Sequence, residues 1–359
     1  MQMKIAIIHG FVGGGGGIEK TLLATIEGLV EKNHIVNLYT VSRPMIQIRG
    51  ILIHSILPFS LPFFGLYQRL MESNLVKKAG DDDIIIQVSS GPALPSRPDQ
   101  PMIIYCHDDF RNEAERTITK YKGIWSWYYR PYYMLAQKFT NQIKNKNIYL
   151  IANSGFIQEL LKNRFGKTST VIYPPVELNK FDKASTKENK VVTISRYSQE
   201  KNLEFAIDVM NDIKTNYVII GNTKTRSNEI YYSDLLKRIQ HQKKYMRLLK
   251  NIERNNVIEE LIKSKVYFHP SPETFGISII ESIAAGCIPI VPDNSAHKET
   301  VPVEELRYKQ DSLIDAQEKI KKALSGDYDK FIEPLQRSIT KYSKENFKKE
   351  IVNYIETLG

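Results

Sequence analysis

Residues Lys265–Val291, KVYFHPSPETFGISIIESIAAGCIPIV, decide the fold of this chain. Their first apolar run, Lys265–His269, predicts a buried strand, and a polar turn follows it. Apolar and small residues over Gly276–Ala285 predict a helix, and Gly286 lies where a C-cap glycine belongs. The apolar run Ile288–Val291 predicts the next strand. A strand, a helix and a strand in this order are typical of a unit with parallel strands.

The same alternation is found on both sides of Pro174 and Pro175. Since two prolines cannot continue a central strand, we interpret this pair as a linker between domains. The strands predicted before the linker are Lys4–Ile8, Ile35–Val41, Ile84–Val88, Met102–Tyr105, Tyr149–Ala152 and Lys167–Tyr173. Those predicted after it, besides the two above, are Val191–Ser195 and Tyr217–Ile220.

Strands that alternate with helices predict an α/β fold in which helices cover both faces of parallel sheets. We therefore expect two Rossmann-like, doubly wound domains, residues 1–174 and 175–340, that face a central cleft. A terminal amphipathic helix, residues 341–359, is expected to pack back on the first domain. Ligands of such sheets bind beyond the carboxyl ends of the strands, which makes the cleft the expected ligand site.

The 359 residues carry a net charge of +10, and 42% of them are hydrophobic. A basic surface favours anionic partners such as phosphate-bearing ligands, acidic lipids or nucleic acid, without choosing among them. Cys106 and Cys287 lie at apolar runs and are interpreted as buried reduced thiols, which favours a cytoplasmic protein. The first apolar run is too short for a signal peptide, and no stretch approaches the ~18 apolar residues of a membrane span.

Glu273 and Glu281, with seven residues between them, are candidate ligand groups around the start of the predicted helix. Two acids at this spacing are often ordinary solvated residues of a helix end. Here, however, Glu281 lies in the apolar run SIIESIAAG, where a carboxylate needs a partner. The amides at the helix start near Gly276 can also bind a phosphate. The pattern favours two carboxylates that bind hydroxyl groups on either side of an anion site.

Arg196 and Lys201 lie in the segment SRYSQEK between a predicted strand and a predicted helix. Two cations beside a helix-start anion site could form a clamp for a diphosphate. The alternative is that both are exposed loop charges.

The glycine run Gly13–Gly17 follows the first strand. Glu19 precedes Lys20 where a Walker loop needs Gly-Lys-Thr, and no register supplies the G-x-G-x-x-G fingerprint. Neither ATP hydrolysis nor standard NAD binding is therefore supported. A loop whose backbone closely approaches a phosphate or a sugar, or a plain flexible loop, remains.

His107 ends a predicted strand in the segment Tyr105–Asp109, YCHDD. A lone histidine is often structural, but the carboxyl end of a strand favours contact with a ligand. No second cluster with metal-ligand spacing is present, so we expect no metal.

Two segments have compositions that could bind a partner at the protein surface. Lys120–Lys146 is basic and aromatic, which suits stacking on bases, a membrane interface, stacking on sugars, or a tyrosine-rich helix packed on the domain. Ile51–Leu66 is apolar but interrupted by prolines and a histidine, so it could at most lie on a membrane.

Together and in this order, the motifs resemble the retaining glycosyltransferases of family 4, which have the GT-B fold. The resemblance covers nearly the whole chain, and the glutamate pair with Phe275 and Gly276 between its members is its most specific part. The matching segments are Gly16–Glu19, Tyr105–Asp108, Ile151–Ser154, Ile172–Glu177, Ser195–Asn202 and Glu273–Glu281.

This resemblance implies transfer of a glycosyl unit from a nucleotide diphosphate sugar to a hydroxyl group, with retention at the anomeric carbon. By the same resemblance, Glu281 binds the ribose, Glu273 and His107 contact the donor sugar, and no cofactor is required. The groups implied to bind the rest of the donor are Arg196, Lys201, Phe275 and the backbone around Gly16, Gly17, Gly276 and Ile277.

The finer resemblance, in the segments IYPPVE, QEKN and FGISIIESIAAGCIPIVP, is to mannosyltransferases that extend lipid-linked oligosaccharides. It implies GDP-mannose as donor, a glycan or polyprenyl-linked acceptor and a peripheral position on an anionic membrane face. Nucleic acid is then not expected as a partner. The alternatives are a nucleic-acid-binding protein that uses Lys120–Lys146, a non-catalytic module that binds nucleotide sugars, or a phosphorylase or epimerase of a related two-domain fold.

Overall fold

The computed structural model describes residues 2–13, 15–59, 65–88, 100–108, 141–181, 186–240 and 245–358, with positions 123, 127, 130, 131, 134 and 138. For residues 65–70 and 73 it describes the backbone alone. The chain divides into two compact units, Met1–Pro175 with Lys344–Gly359, and Val176–Ser343.

The first unit is built on a sheet of seven parallel strands in the order β3-β2-β1-β4-β5-β6-β7. These strands are β1 (Lys4–Ile8), β2 (Ile35–Ser42), β3 (Leu52–Leu57), β4 (Ile84–Gln87), β5 (Met102–Cys106), β6 (Ile148–Ala152) and β7 (Thr170–Val171). Its described helices are α1 (Gly17–Glu31), α2 (Gly65–Lys78), α3 (Gly155–Phe165) and α11 (Lys344–Glu356).

The second unit repeats the plan with six parallel strands in the order β10-β9-β8-β11-β12-β13. They are β8 (Glu188–Ile194), β9 (Asn216–Gly221), β10 (Met246–Lys250), β11 (Ser264–Phe268), β12 (Ile288–Pro292) and β13 (Arg307–Tyr308). The helices are α4 (Leu203–Asn211), α5 (Arg226–Arg238), α6 (Arg254–Lys263), α7 (Ile277–Ala284), α8 (His297–Thr300), α9 (Leu313–Ser325) and α10 (Ile332–Ser338).

Both sheets follow the strand order of Rossmann folds. The first three strands are added toward one edge of the sheet, and the following strands are added on the other side of the first strand. We call the point between these two halves the reversal point. The reversal lies between β1 and β4 in the first unit and between β8 and β11 in the second. The central strands are apolar and buried because helices cover both of their faces. The predicted α/β class with two doubly wound parallel sheets is thus confirmed.

The terminal helix α11 packs on α1 within the first unit. Phe347 and Ile351 join the same apolar core as Leu22 and Leu29 of α1. Gly28 permits the close approach, because a Cβ there would lie 3.2 Å from the Cβ of Lys348. Burial of apolar side chains against α1 therefore stabilises the position of α11.

Some stretches differ from the sequence-based expectation. The apolar stretch Ile51–Leu66 contains an unpredicted, partly exposed strand, Leu52–Leu57, at the edge of the first sheet. The strands Met246–Lys250 and Arg307–Tyr308 are not predicted from the sequence either. The strand predicted over Lys167–Tyr173 is reduced to Thr170–Val171. Among the described residues, no helix combines the length and the apolar character needed to cross a membrane.

Candidate functional site

The candidate site of the second unit lies at the carboxyl edge of its sheet, where the loops after β8 and β11 emerge side by side. The first loop carries Arg196 and Lys201, and the second carries His269 and Glu273. Since β8 and β11 flank the reversal point of the sheet, this is the crevice where such folds bind ligands.

The structure brings Lys201 and Glu273 together. Nζ of Lys201 donates to Oε1 of Glu273 at 2.5 Å, and Nε2 of His269 lies 3.0 Å from the same oxygen. The backbone N–H of Glu273 donates to Oγ of Ser295 at 3.1 Å, which fixes the loop as well as the side chain. Two contacts therefore hold the carboxylate, and a third holds its backbone.

These contacts set the charge of Glu273. Burial opposes ionisation of this carboxyl, but the positive charge of Lys201 and the hydrogen bonds from His269 and Lys201 outweigh it. The pKa of Glu273 consequently lies well below its ordinary range. A carboxylate that stays ionised can accept hydrogen bonds from hydroxyl groups at any physiological pH.

A buried network supports His269 from behind. The Tyr267 hydroxyl lies 3.1 Å from Nδ1 of His269 and donates to Oγ of Ser278 at 2.8 Å. The His269 ring is also 5.7 Å from the ring of His297 in an edge-on arrangement. Tyr267, His269 and His297 are each almost fully buried, so the network fixes the position of Glu273.

Helix α7 begins directly after this loop, and its first residue is Ile277. The preceding Gly276 has φ 88°, and a Cβ on it would lie 2.7 Å from Cδ1 of Ile279. Glycine is thus required for the turn that aims the first amides of the helix, which have no intrahelical acceptor. The side chain of Phe275 is buried against the ring of Tyr342, which leaves its backbone as the part that a ligand could meet.

Glu281 is almost completely buried in the second turn of α7, as its apolar neighbours suggest. The partner that the sequence argument requires is Arg254, whose Nη2 donates to Oε1 of Glu281 at 2.5 Å. Sequence reasoning missed Arg254. One signal was available, because a cation at the first position of a helix opposes the helix dipole.

Arg196 does not share the surroundings of Lys201. Its guanidinium is mostly exposed and lies 3.4 Å from the carboxylate of Glu200, four positions further along the chain. The structure therefore places Lys201, and not Arg196, in contact with a predicted donor-binding carboxylate.

In the first unit the glycine loop is organised by Glu19. One carboxylate oxygen of Glu19 accepts hydrogen bonds from the amides of Gly13 at 2.8 Å and Gly15 at 3.2 Å. Gly16 is the N-cap of α1 and Gly17 its first residue. A Cβ on Gly16 would meet no described atom within 4 Å, so the backbone there is open to a ligand.

His107 lies at the carboxyl end of β5 and is hydrogen-bonded to the backbone of Val88 at the end of β4. Burial, together with the proximity of His9, lowers the pKa of His107 to about 3. Its Nε2 has no hydrogen-bond partner among the described residues. The ring is therefore neutral, and this nitrogen can accept a hydrogen bond from a hydroxyl group.

Several predicted features lie outside the described residues. They include Gly14 of the glycine run, Asp109, part of the apolar stretch Ile51–Leu66 and most of Lys120–Lys146. Cys106 and Cys287 are both buried free thiols, as predicted.

Two protein-family models match the chain. The Glycosyltransferase Family 4 model matches residues 15–180, and the Glycosyl transferases group 1 model matches residues 176–346. Between them they extend from Gly15 in the glycine run through the two glutamates.

A curated relative is the GDP-Man:Man(3)GlcNAc(2)-PP-Dol alpha-1,2-mannosyltransferase of Dictyostelium discoideum. It is 21% identical over 282 residues, which are 69% of this chain and 54% of the relative. The chain thus spans about half the length of the curated relative that it matches.

Two solved structures superpose over nearly all of the chain. Anabaena HepE, in complex with UDP and glucose, has a TM-score of 0.76 at 13% identity and covers 99% of this chain and 100% of its own. WaaG, a glycosyltransferase involved in lipopolysaccharide biosynthesis, has a TM-score of 0.74 at 14% identity, over 97% and 98% of the two chains. At such identities the likeness establishes the fold alone.

Proposed function

Since the chain belongs to the family 4 glycosyltransferases and has their GT-B fold, we propose that it transfers a sugar from a nucleotide diphosphate sugar to a hydroxyl group, with retention at the anomeric carbon. The observation that carries this proposal is the Lys201–Glu273–His269 cluster, directly before the helix start at Gly276. The cluster places a cation, a fixed carboxylate and helix amides at one edge of the sheet.

The leaving diphosphate is stabilised by Lys201 and by the first amides of α7. Lys201 has three N–H donors, and the bond to Glu273 uses one of them, so the others can reach phosphate oxygens. The positive end of the helix dipole at Gly276 and Ile277 adds to this charge. Arg196 extends the positive field from the exposed side of the loop. These groups supply the charge that a metal ion would otherwise provide, and we propose transfer without a metal.

The two carboxylates hold different parts of the donor. Glu273, ionised and fixed by three contacts, accepts hydrogen bonds from hydroxyl groups of the donor sugar. Glu281, eight positions further along the chain, accepts them from the ribose. In the first unit, Nε2 of the neutral His107 can accept a hydrogen bond from a sugar hydroxyl.

In the reaction, the bond from the anomeric carbon to the leaving phosphate oxygen breaks, and a bond from that carbon to the acceptor oxygen forms on the same face. The acceptor proton passes to the leaving phosphate oxygen. The task of Lys201 and the helix amides is to stabilise the negative charge that develops on the diphosphate.

For the donor and the acceptor we propose mannose from GDP-mannose and a glycan or lipid-linked acceptor. The support is the Dictyostelium relative, whose name specifies GDP-Man and a PP-Dol-linked glycan. Such an acceptor would bring the protein to a membrane face, and the net charge of +10 favours an anionic one.

The test is thermal stabilisation of the protein by a panel of GDP-, UDP- and ADP-sugars, followed by release of the nucleoside diphosphate in the presence of lipid extracts. We expect one nucleotide series to stabilise the protein and the matching sugar to be consumed only with an acceptor. If no nucleotide sugar stabilises it, the proposed function is wrong.

Anomeric configuration of the isolated product decides retention, because an inverted linkage would contradict the proposed stereochemistry. Stabilisation by UDP-sugars, and not by GDP-sugars, would contradict the mannose assignment while leaving the transfer reaction intact.

A further inference from the structure

The ion pair between Arg254 and Glu281 joins a nearly inaccessible carboxylate to a guanidinium that solvent still reaches. The Glu281 side chain is 4% exposed and the Arg254 side chain 39%. The guanidinium carbon of Arg254 also lies 5.8 Å from the centre of the Phe181 ring. Arg254 therefore contacts Glu281 and still has a solvent-exposed side.

The pair lies at the ligand-binding edge of the sheet. Arg254 is the first residue of α6, which follows β10, and Glu281 lies in the second turn of α7, which follows β11. Because β10 and β11 are parallel strands of one sheet, both helices start at the carboxyl edge. The Lys201–Glu273 pair lies at this same edge.

Arg254 carries its charge at the first position of a helix, as Arg226 of α5 and Lys344 of α11 also do. A positive charge at the first position of a helix is disfavoured by the helix dipole. Within the described chain the guanidinium makes one hydrogen bond, to Glu281, so most of its five N–H donors remain for a ligand.

We propose that Arg254 is a nucleoside-binding residue of the donor site. It holds the Glu281 carboxylate in an orientation toward the ribose hydroxyls, and its open side donates to an oxygen of the nucleoside. Phe181 limits the movement of the guanidinium by packing against it. This inference rests on the proposed function and assigns to it a residue that acts on the nucleoside, not on the diphosphate or the sugar.

The experiment compares wild type with Arg254→Ala in calorimetric titrations with GDP, UDP, ADP and inorganic pyrophosphate. For the nucleoside diphosphate that wild type binds best, we expect Kd to rise about 10- to 100-fold in the variant, because the lost hydrogen bonds involve a charged donor. Pyrophosphate, which lacks a nucleoside, should bind both proteins alike.

A second readout separates nucleoside binding from general structural damage. Wild type should prefer the ribonucleotide to its 2′-deoxy form, and this preference should shrink in Arg254→Ala because Glu281 is no longer oriented. A loss of fold would weaken all ligands together and would leave the ratio unchanged.

Two further variants serve as controls. Arg238→Ala removes another arginine of this unit, which pairs with Asp208 at 2.7 Å on the surface, and should leave every affinity unchanged. Arg254→Lys keeps a charge for Glu281 but not the planar set of donors, so we expect intermediate affinity. If Arg254→Ala does not fold, Arg254→Lys carries the comparison.

The outcomes are distinct. If no nucleoside diphosphate binds wild type, the proposed function fails and this inference with it. If wild type binds and the Arg254 variants bind equally well, with the deoxy preference intact, Arg254 neither contacts the nucleoside nor orients Glu281 toward the ribose, and the proposal is overturned. Tighter binding by Arg254→Ala would show that Arg254 blocks the ribose position, and would equally overturn the proposal.

Discussion

Nζ of Lys201 lies 2.5 Å from Oε1 of Glu273, although 72 positions separate the two residues in the chain. Their loops follow β8 and β11, which are neighbours in the sheet. Lys201, a cation that can bind phosphate, and Glu273, a carboxylate that can bind sugar hydroxyls, thus form one ion pair. Each can be removed separately, and the two substitutions should impair different steps.

Lys201→Ala should weaken the binding of the bare nucleoside diphosphate, because the charge nearest the proposed phosphate site is lost. We expect Kd to rise about 10- to 100-fold, the range for hydrogen bonds to charged groups. Calorimetry at fixed salt measures this. Lys237→Ala, which removes an exposed lysine paired with Asp234, is the matched control and should have no effect. An unchanged affinity in Lys201→Ala would remove this residue from the phosphate site.

Glu273→Ala should abolish transfer while leaving the binding of the nucleoside diphosphate near normal. The carboxylate contacts the sugar in the proposed site, and the nucleotide keeps Lys201 and Glu281. We expect transfer to fall by at least about 100-fold, as when an oriented transition-state contact is lost. Single-turnover product formation and the Kd of the nucleoside diphosphate are the two measurements. Transfer that survives would show that the assigned sugar contact is wrong.

The sequence predicts the central strands better than the edges of the sheets. Lys4–Ile8 and Ile84–Gln87 are buried on both faces, so each is visible as an apolar run. Two of the unpredicted strands, Leu52–Leu57 and Met246–Lys250, are edge strands. Their side chains are partly exposed, and neither strand shows an uninterrupted apolar run or a clean alternation. An edge strand is specified by the neighbour with which it pairs, and that neighbour is distant in sequence.

The candidate site shows the same division. Glu281 in its apolar surroundings predicts a buried partner, but the pattern cannot say that this partner is Arg254, 27 positions away. Likewise Glu273 is visible as a motif residue, whereas its contact with His269 and the support from Tyr267 depend on how the strand end packs. Local sequence identifies which groups need partners, and the fold decides which groups supply them.

Gly276→Ala should destabilise the second unit more than an ordinary substitution at a left-handed glycine. Alanine at position 276 would have to adopt φ 88°, and its Cβ would lie 2.7 Å from Cδ1 of Ile279. Gly166 is the matched control, since it has φ 64° but its Cβ would meet no described atom within 4 Å. We expect Gly166→Ala to cost about 1 kcal/mol and Gly276→Ala about 2–3 kcal/mol. Thermal unfolding measures both, and equal losses would show that the contact with Ile279 relaxes freely.

His297 should make stability depend on pH in the acidic range. Its ring is fully buried, with Nδ1 3.0 Å from the carbonyl oxygen of Pro292. Burial, and then the neighbouring His269, lower the pKa of His297 from 6.5 to about 3, although Glu273 opposes the shift. Between these two values the unfolded chain binds a proton at this position that the folded chain does not. The free energy of unfolding is therefore unaffected by this proton above pH 6.5. Below pH 6.5 it falls as pH decreases, by about 1.4 kcal/mol per pH unit.

His297→Gln removes this titration, since glutamine is uncharged at every pH. We expect its free energy of unfolding to fall less steeply than that of wild type between pH 6.5 and pH 5, whatever the variant loses in absolute stability. Urea unfolding at several pH values gives the two slopes, and His9 and His107, which are also buried with lowered pKa values, contribute equally to both proteins. The difference between the slopes therefore belongs to His297. Parallel curves for wild type and variant would mean that the folded protein accommodates a charged His297.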